Sequence, residues 1–125
     1  MKIQESAENY LEAILVLANS LGQVRSIDIA NALKYTKPSV SYAMKRLREN
    51  DYVLMDCNGF ITLTEKGEKI AKRVYTRHKV LSNYLISLGV SEQTAVADAC
   101  RIEHIISQES FDCISSHVKK LKQTQ

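Results

Sequence analysis

Two short apolar runs, Tyr52–Met55 and Phe60–Leu63, flank Asp56-Cys57-Asn58-Gly59 in a chain whose other segments all carry helical periodicity. Asn-Gly readily takes the backbone through the positive-φ conformations of a tight turn, so the runs read as two strands of a hairpin. A lone hairpin is marginal in water and must pack on something else. The helices on either side of it are the only candidates.

Before the hairpin, the spacing predicts three helices. The first covers Ser6 to Leu21, with Ser6 as cap, an apolar face of Tyr10, Leu11, Ile14, Leu15, Leu17, Ala18 and Leu21, and Gly22 as terminator. The second covers Ser26 to Leu33, capped by Ser26, with Ile27, Ile29, Ala30 and Leu33 facing inward. Thr36 opens the third, which ends near Asn50. Pro38 stands close to its start, where a missing N–H costs little, and Val40, Ala43, Met44 and Leu47 form its buried face. After the hairpin comes a long helix, Thr64 to Leu88, weakened by Gly67 in its first turn and closed by Gly89. Two more follow, from Ser91 to about Ile106 and from Gln108 to Leu121. Helix, helix-turn-helix, hairpin and long helix is the order of a winged helix-turn-helix. The expected fold is therefore mostly α: a winged unit over residues 1–63 and a helical unit over residues 64–125, linked by the long helix 64–88.

Net charge is only +3 across 125 residues, but it is unevenly spread. Lys34, Lys37, Lys45, Arg46 and Arg48 occur in a stretch without an acid, whereas Glu92, Asp98, Glu103, Glu109 and Asp112 share theirs with Arg101 alone. One end suits anions and the other cations. The second helix of a helix-turn-helix enters the major groove of DNA by its N-terminal end. Here that end carries Thr36, Lys37, Pro38, Ser39, Ser41 and Tyr42, with Lys45 and Arg46 further along and Arg25 ahead of the unit. Small hydroxyls and helix-end N–H groups suit phosphates, and the cations make such binding salt-dependent. A solvated basic face is the plainer reading of the same charges; the hairpin directly after the basic helix argues for DNA.

Cys100, Glu103 and His104 form a C-x-x-E-H spacing inside a predicted helix. Residues three and four apart share a helix face, so a thiolate, a carboxylate and an imidazole project together and can hold a divalent transition metal. Taken singly, each has an ordinary structural explanation. Asn9 and Glu12 on the first helix and His78 on the long one are further donors. Cys57, Cys100 and Cys113 are odd in number and widely spaced, which is no disulfide framework. With no secretory pattern and no apolar run long enough for a membrane, reduced thiols in a cytoplasm are expected.

In order and spacing, Ala7-Glu8-Asn9-Tyr10-Leu11-Glu12-Ala13-Ile14, Thr36-Lys37-Pro38-Ser39-Val40-Ser41, Leu63-Thr64-Glu65-Lys66-Gly67, Arg77-His78 and Cys100-Arg101-Ile102-Glu103-His104 run through nearly the whole chain. On these stretches the chain resembles the diphtheria toxin repressor family of iron- and manganese-dependent regulators, especially its short manganese branch. The resemblance implies a homodimeric repressor of metal-uptake genes that binds operator DNA with Mn(II) or Fe(II) as co-repressor, Zn(II) serving in vitro. It implies metal ligands at Asn9, Glu12, His78, Cys100, Glu103 and His104. Asn9 departs from the family's Asp or Met, and Cys100 follows the iron branch where the manganese branch has Glu. An ancillary site of the iron branch would need Glu at Ser82 and His at Val96, so it is expected to be missing, as is the SH3-like domain of longer members. A cation held by donors from both halves would fix the angle between them and select one spacing of the two reading helices in the dimer. Val96, Ile105, Ile106, Phe111, Ile114 and Val118 are candidates either for the dimer interface or for the intrachain core.

Two rival readings differ in class. A winged-helix regulator responding to another ligand would keep the basic helix and make the C-x-x-E-H residues incidental. A metallohydrolase is suggested by the H-x-x-E-H of some peptidases, but the first His is replaced and no cleft-building domain follows. A regulator, not an enzyme, is the expectation.

Overall fold

A computed structural model describes residues 5–123 of the chain. Six helices and one two-stranded sheet follow in the order α1 (Glu5–Leu21), α2 (Ser26–Leu33), α3 (Lys37–Glu49), β1 (Val53–Met55), β2 (Ile61–Leu63), α4 (Glu65–Ser87), α5 (Glu92–Ile105) and α6 (Gln108–Gln123). Two compact units meet within α4, one ending at Arg73 and the other beginning at Val74. No helix among the described residues is long and apolar enough to cross a membrane.

In the first unit, Tyr10, Leu11 and Ile14 of α1 pack with Ile29 and Ala30 of α2, Val40, Met44 and Leu47 of α3, and Val53 and Ile61 of the hairpin. The strands are antiparallel, pairing Val53 with Leu63, Leu54 with Thr62 and Met55 with Ile61. Side chains alternate across the sheet, so Val53 and Ile61 are buried while Leu54 and Thr62 face out. The connecting loop is residues 56–60. The Asp56 carboxylate shapes it by accepting the N–H groups of Asn58 and Phe60, each at 2.9 Å, with Gly59 at φ 84°. The N–H of Ile61 also donates to the Val24 carbonyl at 2.7 Å, adding a bridge that the residue pattern did not announce.

Several local expectations change. Ser6 lies inside α1 and does not cap it. Arg25, not Ser26, is the N-cap of α2, its N–H donating to the Asp28 carboxylate at 2.9 Å. Ile27 and Leu21 are exposed. An eight-residue helix cannot turn all its apolar positions inward, and Leu21 sits in the last turn of α1, beyond the core. Thr36 does cap α3, accepting the Ser39 N–H. Thr64 caps α4, accepting the Gly67 N–H at 3.1 Å while donating to the Asp51 carbonyl at 2.6 Å. Gly67 is there because of close approach: a Cβ on it would stand 2.1 Å from the Tyr52 carbonyl oxygen.

In the second unit, Leu81 of α4, Ala99 of α5 and Phe111 of α6 form the core, with Val80, Ile102, Ile106 and Ile114 packed against it. Ser91 caps α5. Ile106, Phe111 and Ile114 are thus intrachain core, while Val96 and Ile105 are exposed and Val118 is half-buried.

Candidate metal centre and nucleic-acid face

All of the candidate DNA contacts, Arg25, Thr36, Lys37, Pro38, Ser39, Ser41, Tyr42, Lys45 and Arg46, are exposed. α3 buries Val40, Met44 and Leu47, and this one-sided burial leaves its hydroxyl-rich N-terminus and its cations to solvent. Some of these groups are preorganised. The Thr36 hydroxyl donates to the Ser39 hydroxyl at 2.8 Å. The Arg46 guanidinium donates to the Tyr42 hydroxyl at 3.2 Å. Arg25 stacks over the Phe60 ring at 4.4 Å, which ties the start of α2 to the hairpin loop. Ile27, expected in the core, lines an open cleft of about 270 Å³ with Ser26, Lys37 and Ser41.

In the second unit, α4 presents His78 to the last turns of α5. His78 Nδ1 lies 2.9 Å from Glu103 Oε2 and 3.7 Å from Cys100 Sγ. One donor atom from each of His78, Cys100 and Glu103 falls within a 4.8 Å cluster. His104 joins through the other carboxylate oxygen, its Nε2 3.4 Å from Glu103 Oε1. Glu103 is 1% exposed, and the 2.9 Å approach to His78 requires a proton between the two atoms. Burial lowers the His78 imidazole below its ordinary value of 6.5, so the ring is neutral at neutral pH and one of its two nitrogens, set by the tautomer, keeps a lone pair.

These residues fit a divalent transition metal. Donors bonded to one tetrahedral ion at about 2.0–2.3 Å stand roughly 3.3–3.7 Å apart; the His78–Cys100 pair at 3.7 Å matches, the His78–Glu103 pair at 2.9 Å is tighter, and all three donors lie within 4.8 Å of one another. The ion would replace the shared proton, since metal ligands must be deprotonated. The Cys100 thiolate adds a soft ligand. Of the six predicted ligands, the structure brings together His78, Cys100, Glu103 and His104; Asn9 and Glu12 lie on α1 of the first unit. Where the resemblance would need a Glu, Ser82 is buried and bonds the His78 carbonyl at 2.7 Å.

Arg77 belongs to one of the stretches that carry the resemblance, but the sequence assigned it no role. It is buried, and it donates to the carbonyls of Glu103 and Ile106 and to the Gln108 side chain. Its acceptors lie 26 to 31 residues away, two of them backbone atoms, so no local pattern predicts these partners.

Comparison with known proteins agrees with this geometry. Residues 2–57 match the iron dependent repressor N-terminal DNA binding domain, and residues 64–125 match the iron dependent repressor metal binding and dimerisation domain. The chain is 35% identical over 120 residues to the HTH-type transcriptional regulator MntR of Shouchella clausii, covering 96% of this chain and 84% of that protein. It is 36% identical over 109 residues to the transcriptional regulator MntR of Salmonella typhimurium, covering 87% and 69% respectively. Among solved structures it is similar to the manganese regulator SloR, with TM-score 0.81 and 25% identity over 90% of this chain and 53% of that one. A manganese-dependent transcriptional repressor in complex with manganese, at 24% identity and TM-score 0.82, shares the fold. The chain spans about half the length of these two solved structures. With both of its halves matched in order, the chain belongs to the iron-dependent repressor family of metal-dependent DNA-binding transcriptional regulators, which are not enzymes.

Proposed function

We propose that the chain acts in the cytoplasm as a homodimeric repressor of metal-uptake genes, binding operator DNA through α3 and the hairpin with a divalent metal as co-repressor. The observation that carries this reading is the cluster of His78, Cys100 and Glu103 donors, with His104 against the same carboxylate. The candidate metals are Mn(II) and Fe(II), with Zn(II) binding in vitro. Relatives named for manganese support the first, and the Cys100 thiolate supports softer ions. Asn9 and Glu12 enter as further oxygen donors on the resemblance alone. Functionally the chain divides into a DNA-binding domain over residues 1–63 and a metal-binding and dimerisation domain over 64–125. Of the candidate interface residues, Val96 and Ile105 are exposed and available for pairing.

Occupancy of the metal site and DNA affinity are coupled, and the coupling is reciprocal: metal tightens DNA binding and DNA tightens metal binding. The test is DNA affinity at fixed salt with metal and with chelator, for the wild type and for Glu103→Gln. The wild type should bind at least fivefold tighter with metal, on the scale of typical coupling energies, and Glu103→Gln should lose most of that gain. Equal affinity in metal and chelator for the wild type would leave a metal-independent DNA binder.

A further inference from the structure

We propose that Arg77 is a positioning residue for the metal site: its guanidinium holds the end of α5, and with it the Glu103 carboxylate, where a cation needs it. The inference rests on the metal reading above. α5 stops at Ile105, and Ile106 turns extended at φ −70° and ψ 138°. The carbonyls of a last helical turn have no helical donors and must find others. The Ile102 carbonyl takes the Ile106 N–H at 2.9 Å. Arg77 Nη1 donates to the Glu103 and Ile106 carbonyls, both at 3.1 Å. Arg77 Nη2 donates to Gln108 Oε1 at 2.9 Å, and Gln108 in turn donates to Asp112 at 2.8 Å. The Phe111 ring lies 5.4 Å from the guanidinium carbon. One side chain thereby joins α4, the end of α5 and the start of α6.

The electrostatics favour this placement. A buried guanidinium is costly to desolvate unless its N–H groups are used. Here the Nη groups meet two carbonyls at the negative end of a helix dipole and the Gln108 side chain, while the buried Nε makes no hydrogen bond. The fork matters as well as the charge, because a lysine ammonium is a point donor and cannot reproduce it. Arg77 and His78 are adjacent on α4 and address the same partner. Arg77 grips the Glu103 backbone while His78 meets the Glu103 carboxylate. Loosening the grip frays α5 from its C-terminal end, so Glu103 and His104 move most and Cys100, a turn earlier, moves least.

Co(II) is the probe, titrated under reducing conditions, because its sulfur-to-metal band reports Cys100 and its d–d bands report the remaining ligands. Arg77→Met is expected to bind Co(II) roughly 10–100-fold more weakly, the usual effect of losing a partner that orients a ligand. Its d–d bands should shift while the sulfur band stays, and Arg77→Lys should recover part of the affinity. Circular dichroism sets the folded fraction. If Arg77→Met does not fold, Gln108→Ala removes one of the three bonds and should still weaken binding several-fold. Wild-type affinity and spectrum in folded Arg77→Met, or in Gln108→Ala where that variant replaces it, overturn the inference. A wild type that shows no cobalt bands overturns the metal reading and this inference together.

Discussion

Replacing Gly67 by alanine sets two effects of opposite sign against each other. In a helix interior, alanine is favoured over glycine by about 1 kcal/mol, so local propensity predicts a more stable protein. Tertiary packing predicts the reverse. The added Cβ would lie 2.1 Å from the Tyr52 carbonyl oxygen and 3.0 Å from its carbon, so the backbone has to open by about 1.3 Å to reach ordinary contact at 3.4 Å. That oxygen accepts the Thr64 N–H and the Thr64 hydroxyl, each at 3.1 Å, and both bonds stretch with it. Overpacking costs about 1–3 kcal/mol and each hydrogen bond about 0.5–1.5 kcal/mol. After the propensity gain, a net loss of about 1–5 kcal/mol remains, a large share of a domain's stability. Urea unfolding followed by circular dichroism, on metal-free protein, measures it. Because Tyr52 leads directly into β1, DNA affinity should fall too, while cobalt binding at His78, Cys100 and Glu103 persists. A Gly67→Ala protein as stable as the wild type or more so would refute the close-approach argument and leave Gly67 an ordinary helix glycine.

Three shorter predictions concern charge and capping. In chelator, the lowered pKa of His78 makes the unfolded chain bind its proton first as pH falls. Its contribution is therefore fully present above about 6.5 and is lost as pH drops below that toward the folded value; urea midpoints against pH should flatten in this window in His78→Gln. Lys45→Ala should weaken DNA binding about equally across sequences and reduce the salt slope by about 1; a change confined to one base position would reassign Lys45 to base reading. Thr36→Ala removes the side-chain acceptor for the Ser39 N–H at 3.3 Å and should cost about 1 kcal/mol, read as a lower urea midpoint; an unchanged midpoint would mean that the cap contributes nothing.

How much of the site was legible depends on the range of the interactions involved. Cys100, Glu103 and His104 are neighbours along one helix, so their spacing alone predicts a shared cluster. His78 was legible as a further donor, but its place in the ligand set came from the resemblance, because 22 residues separate it from Cys100 and no periodicity links them. The exposure of the candidate DNA face was legible because a helix that buries Val40, Met44 and Leu47 must turn Ser41, Lys45 and Arg48 outward. The caps were legible only in part. Thr36, Thr64 and Ser91 cap as expected, but Ser26 lost to the Arg25 backbone once Asp28 could accept its N–H.

By itself, then, the amino-acid order determined the helices, the hairpin and the donor types, because apolar periodicity, turn residues and caps act within a few residues of chain. Tertiary structure alone decided that Gly67 must lack a side chain, that Ile27 stays outside the core, and that Arg77 closes the end of α5. Each of these depends on atoms distant in sequence meeting at contact range, where a displacement of an ångström turns a hydrogen bond into a clash or a gap.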